Sequence, residues 1–319
     1  MEQFVAYKLN FTCEAVTAVS LPRYSGSTLR GAFFGALRQD FCLNKKLDTC
    51  LHCPTAEVCP ICRLVATVER DNNRGAEIPR PFSLQPVITE KTRFEPGQSF
   101  SFGITLFGQS LSLFPYAVLA IQRMGEIGMG NRAVAPGRFI LRDAKVANLL
   151  PAIEKSIYSS DTRIVKVPDL AISHQDVLSY AARLNPDSLR VNFVTPLRLV
   201  VEGSLVQKLT FRILAQRLLR RLTDLYRYCC NEELSLDFPG LLKQAEEVQV
   251  TQDNTSWIDL SSYSNRRHAS MPTGGLTGEI SFAGKLKDFL PLLVWGELTH
   301  IGKDTTRGNG WYRITDNSS

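Results

Sequence analysis

The two halves of the chain carry the same order of predicted elements, and this repetition constrains the fold more than any other feature. In the first half, alternating apolar and polar residues predict strands in EQFVAYKLNFTCEAVTAV, RPFSLQPVI, QSFSFGITLFG and GRFILRDAKV. Apolar residues at helical spacing predict helices in STLRGAFFGALRQDF and LFPYAVLAIQRMG. The resulting order is strand, helix, strand, strand, helix, strand.

The second half repeats that order. Strands are predicted in SLRVNFVTPLRLV, EEVQVTQDNTSWIDLSSYS, LTGEISFAG and GWYRIT, and helices in QKLTFRILAQRLLRRLTDLYRYC and LKDFLPLLVWGEL. The long helix has an apolar stripe formed by Phe211, Leu214, Leu218, Leu222 and Leu225. The two halves also end alike, in EIGMGNRAVAPGRFIL and THIGKDTTRGNGWYRI.

We therefore predict an α+β fold of two tandem ferredoxin-like (RRM-like, βαββαβ) domains that arose by internal duplication. The domains span residues 1–146 and 187–319. Residues 147–186 are predicted to be a linker with one helix, SHQDVLSYAARL.

Composition limits the class of protein. The chain has 319 residues, enough for two domains, and its 44% hydrophobic content suits a globular protein. No apolar run approaches the roughly 18 residues that span a bilayer, and the N-terminus lacks the layout of a signal peptide. We expect a cytoplasmic protein with reduced thiols. The net charge of +6 permits a polyanionic partner without proving one.

A cluster of four cysteines lies in CLHCPTAEVCPICR, where Cys50, Cys53, Cys59 and Cys62 form two CxxC pairs. Thiolates in this spacing predict a tetrahedral zinc site, in a compact knuckle at about residues 42–65 of the first domain. An iron–sulfur cluster is the alternative. Four protein ligands leave no open position for water, so the predicted site is structural. The other four cysteines, Cys13, Cys42, Cys229 and Cys230, lack such spacing.

Two loops of the second half combine glycines with basic residues. GKDTTRGNG precedes the last strand, and NRRHASMPTGG precedes the strand LTGEISFAG. Glycines let backbone amides approach phosphate oxygens, and the basic side chains add charge. The residues predicted to bind phosphate, which the resemblance described next makes RNA-binding residues, are Arg266, Arg267, Gly274, Gly275, Gly302, Lys303, Arg307, Gly308 and Gly310. The alternative is that both loops are ordinary turns.

A family resemblance rests on these same segments. SYSNRRHASMPTGGLTGEISFAGKLKDFLPLLVWGELTHIGKDTTRGNGWYRI resembles the C-terminal signature of the Cas6 family of CRISPR repeat-processing endoribonucleases, in the RAMP superfamily. VNFVTPLRL, LRGAFFGAL, PRPFSLQP and PYAVLAIQRMGEIGMGNR are also similar to this family, and the cysteine cluster fits a subgroup with a four-cysteine insertion. The resemblance implies two ferredoxin-like domains that bind CRISPR repeat RNA. It also implies metal-independent cleavage by the ribose 2′-OH, leaving a 2′,3′-cyclic phosphate.

Such chemistry needs a base, an acid and a cation near the phosphate. Relatives often carry a base histidine in or just after the first helix, and TLRGAFFGALRQD has none. Of the four histidines, His52 and His300 are the leading candidates, with Lys303 stabilising charge and with His268 and Tyr263 as alternatives. His52 is equally explained as an exposed knuckle residue, and His300 as a helix C-terminal residue.

Two further interpretations compete with an RNA-processing enzyme. The first is a non-catalytic, RNA-binding RAMP subunit of a CRISPR effector complex. The second, disfavoured by the C-terminal signature, is an unrelated zinc-bearing RNA-binding protein. The resemblance implies repeat RNA or mature CRISPR RNA as partner, together with other Cas proteins of an effector or adaptation complex.

Overall fold

The computed structural model describes residues 1–47, 50–67, 78–130, 136–264 and 269–315. The chain divides into two compact units. The N-terminal unit comprises Gln3–Ile172 with Tyr228–Asn231, and the C-terminal unit comprises Met1–Glu2, Ser173–Arg227 and Glu232–Ser319. Within the described ranges, no helix is both long and apolar enough to span a membrane.

The N-terminal unit is built on a five-stranded antiparallel sheet with two main helices. Its elements are β1 (Ala6–Ala15), β2 (Val19–Ser20), α1 (Gly26–Phe41), α2 (Pro60–Leu64), β3 (Phe82–Gln85), β4 (Arg93–Phe94), β5 (Ser99–Phe107), α3 (Phe114–Ile127), β6 (Phe139–Asn148) and β7 (Ile153–Ser159). The sheet order is β3-β5-β1-β6-β7, while β2 and β4 form a separate two-stranded ribbon.

Amphipathic patterning explains how this unit packs. Helix α1 buries Leu29, Phe33 and Leu37 on one face, and α3 packs against both α1 and β6. Strand β1 alternates buried and partly exposed residues, as expected for a strand with one face in the core. Its central position lets it pair with β5 on one side and β6 on the other.

The C-terminal unit contains a four-stranded antiparallel sheet in the order β11-β14-β8-β15. Its elements are α4 (His174–Ala181), β8 (Ser188–Leu197), β9 (Val200–Val201), β10 (Ser204–Leu205), α5 (Phe211–Cys230), α6 (Phe238–Glu246), β11 (Gln249–Ile258), β12 (Ser261–Ser264), β13 (Ala269–Pro272), β14 (Gly275–Ala283), α7 (Leu290–Thr299) and β15 (Tyr312–Thr315). The predicted apolar stripe of α5 is buried. At its start, Phe211 packs edge-on against Phe282 and Phe289, each 5.1 Å away between ring centroids.

Both units have the predicted βαββαβ connection order. In each, the first strand of the unit lies between its third and fourth strands, and the second strand lies at an edge. When the helices that connect the strands lie on one side of a sheet, they form a single layer that covers the apolar face of that sheet.

The predicted linker differs from what the structure shows. Residues 147–186 contain the expected helix, α4, which packs against α7. The remainder, however, completes β6 and adds β7, which pairs antiparallel with β6 as a fifth strand. The segment up to Ile172 therefore belongs to the N-terminal unit, because β7 satisfies its backbone groups against the sheet.

Candidate nucleic-acid interface

The glycine loop between α7 and β15 folds onto the end of β8. The amide of Lys303 donates to the carbonyl of Arg198 over 2.9 Å, and that of Gly310 donates to the carbonyl of Pro196 over 2.9 Å. The amide of Trp311 donates to Oγ1 of Thr195 over 2.9 Å. The loop is thereby fixed to a strand in the middle of the sheet.

The second glycine pair reaches the same strand end. Nη1 of Arg198 donates to the carbonyl of Gly274 over 3.1 Å, and Nδ2 of Asn309 donates to the carbonyl of Thr273 over 2.9 Å. A Cβ at Gly275 would collide with the carbonyl of Leu197. The structure therefore brings both predicted loops together around β8. Arg198 was not singled out from the sequence. A basic residue that directly follows the predicted strand ending in TPL could have indicated that it lies near these loops.

Arg266, Arg267 and His268 lie outside the described residues. They belong to the connection between β12 and β13, whose strands pair from Ser261 with Pro272 to Ser264 with Ala269. The predictions made for these three residues stay predictions.

The glycines of the loop serve the loop's own turns. Gly302, Gly308 and Gly310 have φ of +87°, +81° and +68°, a region that residues with a Cβ rarely adopt. The amide of Gly308 donates to the carbonyl of Thr305 over 3.1 Å, and the amide of Arg307 donates to the carbonyl of Asp304 over 2.7 Å.

These bonds revise the prediction that the loop touches phosphate through its backbone. The amides of Lys303, Arg307, Gly308 and Gly310 already have acceptors within the protein. These four amides are therefore not free to bind phosphate.

Two cationic side chains extend from this loop. Lys303 is exposed, and none of the described residues forms an ion pair with it. Arg307 is partly buried, lies 3.5 Å from the Asp304 carboxylate, and donates to the hydroxyl of Ser262 over 3.4 Å. Because Arg307 lies beside Asp304, Lys303 is the cation of the pair whose charge no carboxylate of the described residues offsets.

His300 is placed in the core rather than at the surface. Its side chain is fully buried and stacks on Trp311, with ring centroids 6.1 Å apart and an interplanar angle of 13°. Its amide ends α7 by donating to the carbonyl of Gly296. A buried ring has no access to a ribose hydroxyl, so the structure argues against His300 as the general base.

The remaining candidates, His52 and Tyr263, differ in accessibility from two other titratable side chains, Tyr312 and His174. His52 is exposed, in a turn closed by a bond from the Cys53 amide to the Cys50 carbonyl. Tyr263 is 65% exposed on β12. Tyr312 is fully buried and donates to the carbonyl of Leu293 over 2.7 Å, so its hydroxyl does not reach RNA. Burial also raises its pKa well above the usual value. His174 accepts at Nδ1 from Nε1 of Trp295 over 3.0 Å.

The arginines of α5 largely serve the protein itself. Arg212 pairs with Glu246 at 2.7 Å, and Arg221 donates to the carbonyl of Thr299 at the end of α7. Arg220 lies 3.9 Å from Asp224. A solvated helix face with internal pairs explains these residues better than an RNA track.

The four cysteines of the CxxC pairs gather into a small cluster of their own. Cys53 and Cys62 are buried together with Ala56, and Cys50 and Cys59 pack against them. Burial raises the pKa of the Cys62 and Cys50 thiols. Nδ2 of Asn44 donates to Sγ of Cys53 over 3.5 Å.

This arrangement is not yet a metal centre. Among the described residues, no group of three or more histidine, cysteine or acidic side chains is arranged to hold an ion. The donor chemistry of four thiols nevertheless fits zinc. The zinc prediction stays a prediction.

Comparison with known proteins assigns the family. Residues 4–170 match a family model described as an N-terminal domain, and the chain belongs to that domain family. Residues 191–312 match the family model of the CRISPR-associated endoribonuclease Cas6. The loops assembled around β8 lie within the segment that matches this Cas6 model. No curated protein sequence matches the chain.

Solved Cas6 structures share the fold. A Cas6 product complex has a TM-score of 0.56 at 14% identity, covering 99% of this chain and 100% of that one. The Thermus thermophilus Cas6 has a TM-score of 0.55 at 12% identity, covering 98% and 99%.

A partial Cas6-RT-Cas1–Cas2 complex has a TM-score of 0.62 at 14% identity. It covers 99% of this chain, which spans about half (47%) of that longer chain. At these identities the likeness of the structures shows the fold.

Proposed function

We propose that the chain binds CRISPR repeat RNA and cleaves it without a catalytic metal. The observation that carries this proposal is the Cas6 domain over residues 191–312, in which two loops converge on β8 and expose Lys303. The two units are, in this proposal, tandem ferredoxin-like domains of the RAMP type, acting in the cytoplasm where precursor transcripts are made.

The proposed reaction is an internal transesterification. A base takes the proton from the ribose 2′-OH, and the resulting oxygen attacks the adjacent phosphorus. The bond to the 5′-oxygen breaks, an acid protonates that oxygen, and the products carry a 2′,3′-cyclic phosphate and a 5′-OH. Negative charge grows on the phosphoryl oxygens in the transition state, so a nearby cation stabilises it.

The residue roles follow from accessibility. Lys303 supplies charge, because it is exposed on a loop that is rigidly bonded to β8. His52 is the base candidate that solvent reaches, with Tyr263 and His268 as alternatives. His300 shapes the loop from beneath through its stack on Trp311.

One assay tests cleavage. Repeat RNA with the chelator EDTA should be cut, and the same RNA with a 2′-deoxy nucleotide at the cut site should be bound but left intact. Loss of cutting in EDTA contradicts metal independence, and cutting of the 2′-deoxy RNA contradicts the proposed attack. His52→Ala compared with His300→Gln tests the base.

A second candidate function, an RNA-binding RAMP subunit without cleavage, is favoured by one specific observation. Helix α1 carries no histidine, and His300 is buried. Repeat RNA that binds tightly but stays uncut under all conditions would establish this alternative.

Partners follow from the relatives. One structural relative is part of a Cas6-RT-Cas1–Cas2 complex, and we propose that this chain likewise works beside other Cas proteins in an effector or adaptation complex. Co-purification of the tagged chain with Cas proteins encoded beside it tests this proposal.

We also propose that Cys50, Cys53, Cys59 and Cys62 bind one structural zinc ion, as in a subgroup of the family with a four-cysteine insertion. Support comes from the clustering of the four thiols and the Asn44 amide at Cys53. Zinc would replace the thiol protons and draw the sulfurs together. Elemental analysis should find one zinc per chain in the wild type and in Cys230→Ser, but much less in Cys59→Ser. Iron instead of zinc would establish the iron–sulfur alternative.

A further inference from the structure

The main helices of the C-terminal unit pack on one face of its four-stranded sheet. On that face Phe193 packs edge-on against Tyr312, whose hydroxyl donates to the carbonyl of Leu293 in α7. Phe282 packs against Phe211 of α5 on the same face. Because successive residues of a strand point to opposite faces, the residues between these aromatic side chains lie on the second face of the sheet.

Two arginines lie side by side on that second face. Partly exposed and buried residues alternate along most of β8, so Arg190 and Asn192 share a face. Across the ladder, Arg313 of β15 lies directly opposite Asn192, and Thr315 lies directly opposite Arg190. Arg190 and Arg313 are therefore diagonal neighbours, a relation in which side-chain positions are about 7–8 Å apart and long side chains can meet.

Neither guanidinium group forms an ion pair with any of the described residues. The acidic residue of this face, Glu279, lies opposite Asn192 on β14 and accepts from its amide Nδ2 over 3.3 Å. Like charges that are close across a sheet repel each other. An anion between Arg190 and Arg313 would replace this repulsion with two favourable contacts.

The ring of Trp311 orients one of the two arginines. Arg313 is exposed, and its guanidinium carbon lies 5.4 Å from the centroid of the Trp311 ring. That ring is only 8% exposed and stacks on the buried His300, so its position is fixed. An arginine held over an aromatic ring is organised in advance for a planar, two-pronged contact with a phosphate.

This face continues from the glycine loop. The loop leads directly into β15, and the amide of Trp311 donates to the hydroxyl of Thr195 on β8. Arg198, whose carbonyl accepts from Lys303, follows Asn192 by six positions, which is about 20 Å along an extended chain. An RNA strand that contacts the loop can therefore continue along β8 and β15.

We propose that the second face of the C-terminal sheet binds one phosphate group of the RNA chain between the guanidinium groups of Arg190 and Arg313, with Asn192 between them. This inference rests on the proposed function, because RNA is the phosphate-bearing ligand. It adds to the loop contact at Lys303 a second contact on the sheet, and so gives the bound strand a direction along β8.

Repeat-RNA binding across a salt series tests the site. Arg190→Gln and Arg313→Gln should each lower affinity about tenfold, because each removes a charge-assisted contact. The double variant should lose less than a hundredfold, since both side chains hold the same phosphate. Its salt slope should be flatter by about 0.7, the value for one phosphate of a single strand. A full hundredfold loss with a change of about 1.4 would overturn the shared phosphate.

Arg183→Gln is the matched control. Arg183 is exposed just after α4, and α4 packs against α7 on the helix side of the sheet. The control removes an equal charge and should leave affinity unchanged. The melting temperatures of both test variants should equal or exceed that of the wild type, because replacing either arginine relieves repulsion. Weaker binding together with a lower melting temperature would show that the arginines support the sheet instead of holding a phosphate.

The outcomes distinguish this site from the proposed function. Wild-type protein that binds no repeat RNA contradicts the proposed function and this site together. RNA binding that Lys303→Ala weakens, but that Arg190→Gln and Arg313→Gln leave equal to Arg183→Gln, overturns the sheet site alone.

Discussion

Lys303 is the residue at which charge and accessibility coincide in the glycine loop. Its amide is fixed to Arg198 while its side chain extends into solvent, so replacement should leave the loop in place. Lys303→Ala should weaken repeat-RNA binding and lower the salt slope by less than about one unit, since one phosphate contact is lost. Single-turnover cleavage at saturating protein should also slow if Lys303 stabilises the transition state.

The matched control lies at the other end of the same helix. Lys287 is exposed just before α7, and Lys287→Ala removes an equal charge far from the loop along the helix. If the two alanine variants bind and cleave alike, the loop is only a turn and Lys303 has no specific part in RNA recognition.

His174 makes stability of the C-terminal unit depend on pH. Burial, followed by repulsion from the N-terminal ammonium, lowers its pKa below the usual value of about 6.5. Protonation at Nδ1 would turn the acceptor of the Trp295 bond into a donor. The unfolded chain therefore takes up this proton more readily than the folded chain, and stability should fall as pH drops from about 6.5 through the folded pKa.

Melting temperatures of wild type and His174→Gln, measured between pH 7.5 and 5, test this linkage. The wild type should lose more stability over that range than the variant, whose side chain does not titrate. Parallel curves would show that His174 carries no part of the pH dependence.

Residue roles were the least predictable part from the sequence. His300 beside a basic glycine loop has the composition of a catalytic site, yet its φ of +56° and its stack on Trp311 direct the ring inward. The amides of Gly308 and Gly310 looked available for phosphate, but their acceptors come from Thr305 and Pro196. The sequence shows which side chains are near one another along the chain. Whether they are buried or hydrogen-bonded depends on contacts with residues that are distant in the sequence.

At the scale of elements, the glycine loop depends on close backbone contact. A Cβ at Gly310 would collide with the carbonyl of Ile301, and its φ is +68°. Gly310→Ala should destabilise the protein by about 3 kcal/mol, from the left-handed conformation plus the clash. Gly203→Ala is the matched control, because Gly203 has a φ of +82° but open space around it.

Denaturant unfolding measures the difference between these two variants. Gly203→Ala should cost only the conformational part, about 1–2 kcal/mol. Equal losses for both variants would mean that the loop relaxes away from Ile301 and that close packing does not hold it.

Elements with clear periodicity were predictable, and those without it were not. The stripe of α5 and the alternation of β1 follow directly from apolar spacing. Strand β7 has the sequence IEKSIYS, whose first four residues are all exposed, so no apolar alternation marked it as a strand. It forms because β6 offers an unpaired edge, and an edge is a property of the sheet rather than of the segment.

At the scale of the whole molecule, the duplicated element order predicted the four strands that the main sheets of the two units have in common, but not β7. It did not predict where the units divide, because Tyr228–Asn231 at the end of α5 belong with the N-terminal unit. There Cys229 is buried against Gly108, whose φ of +53° and lack of a side chain make room for it. A domain boundary at a single sequence position cannot assign Tyr228–Asn231 to the N-terminal unit, because these residues lie in the second half of the chain.

Because Tyr228–Asn231 belong to the N-terminal unit, a fragment of residues 1–172 lacks part of that unit. The isolated fragment should exchange the amide proton of Gly108 faster than the full chain does, since Cys229 no longer lies against it. Co-expression with residues 173–319 should restore protection. Equal exchange rates in the fragment and the full chain would show that the end of α5 contributes nothing to this unit.

The internal bonding of the glycine loop has a consequence for how such a protein diversifies. The backbone of the loop bonds to its own turns and to β8. The backbone conformation of the loop therefore does not depend on which side chain it exposes. Position 303 is then free to vary while the backbone of the loop persists, whereas the Arg307 side chain also contacts Asp304 and Ser262. If the proposed RNA binding holds, an engineer seeking a new RNA preference would randomise position 303 first and leave the three left-handed glycines untouched.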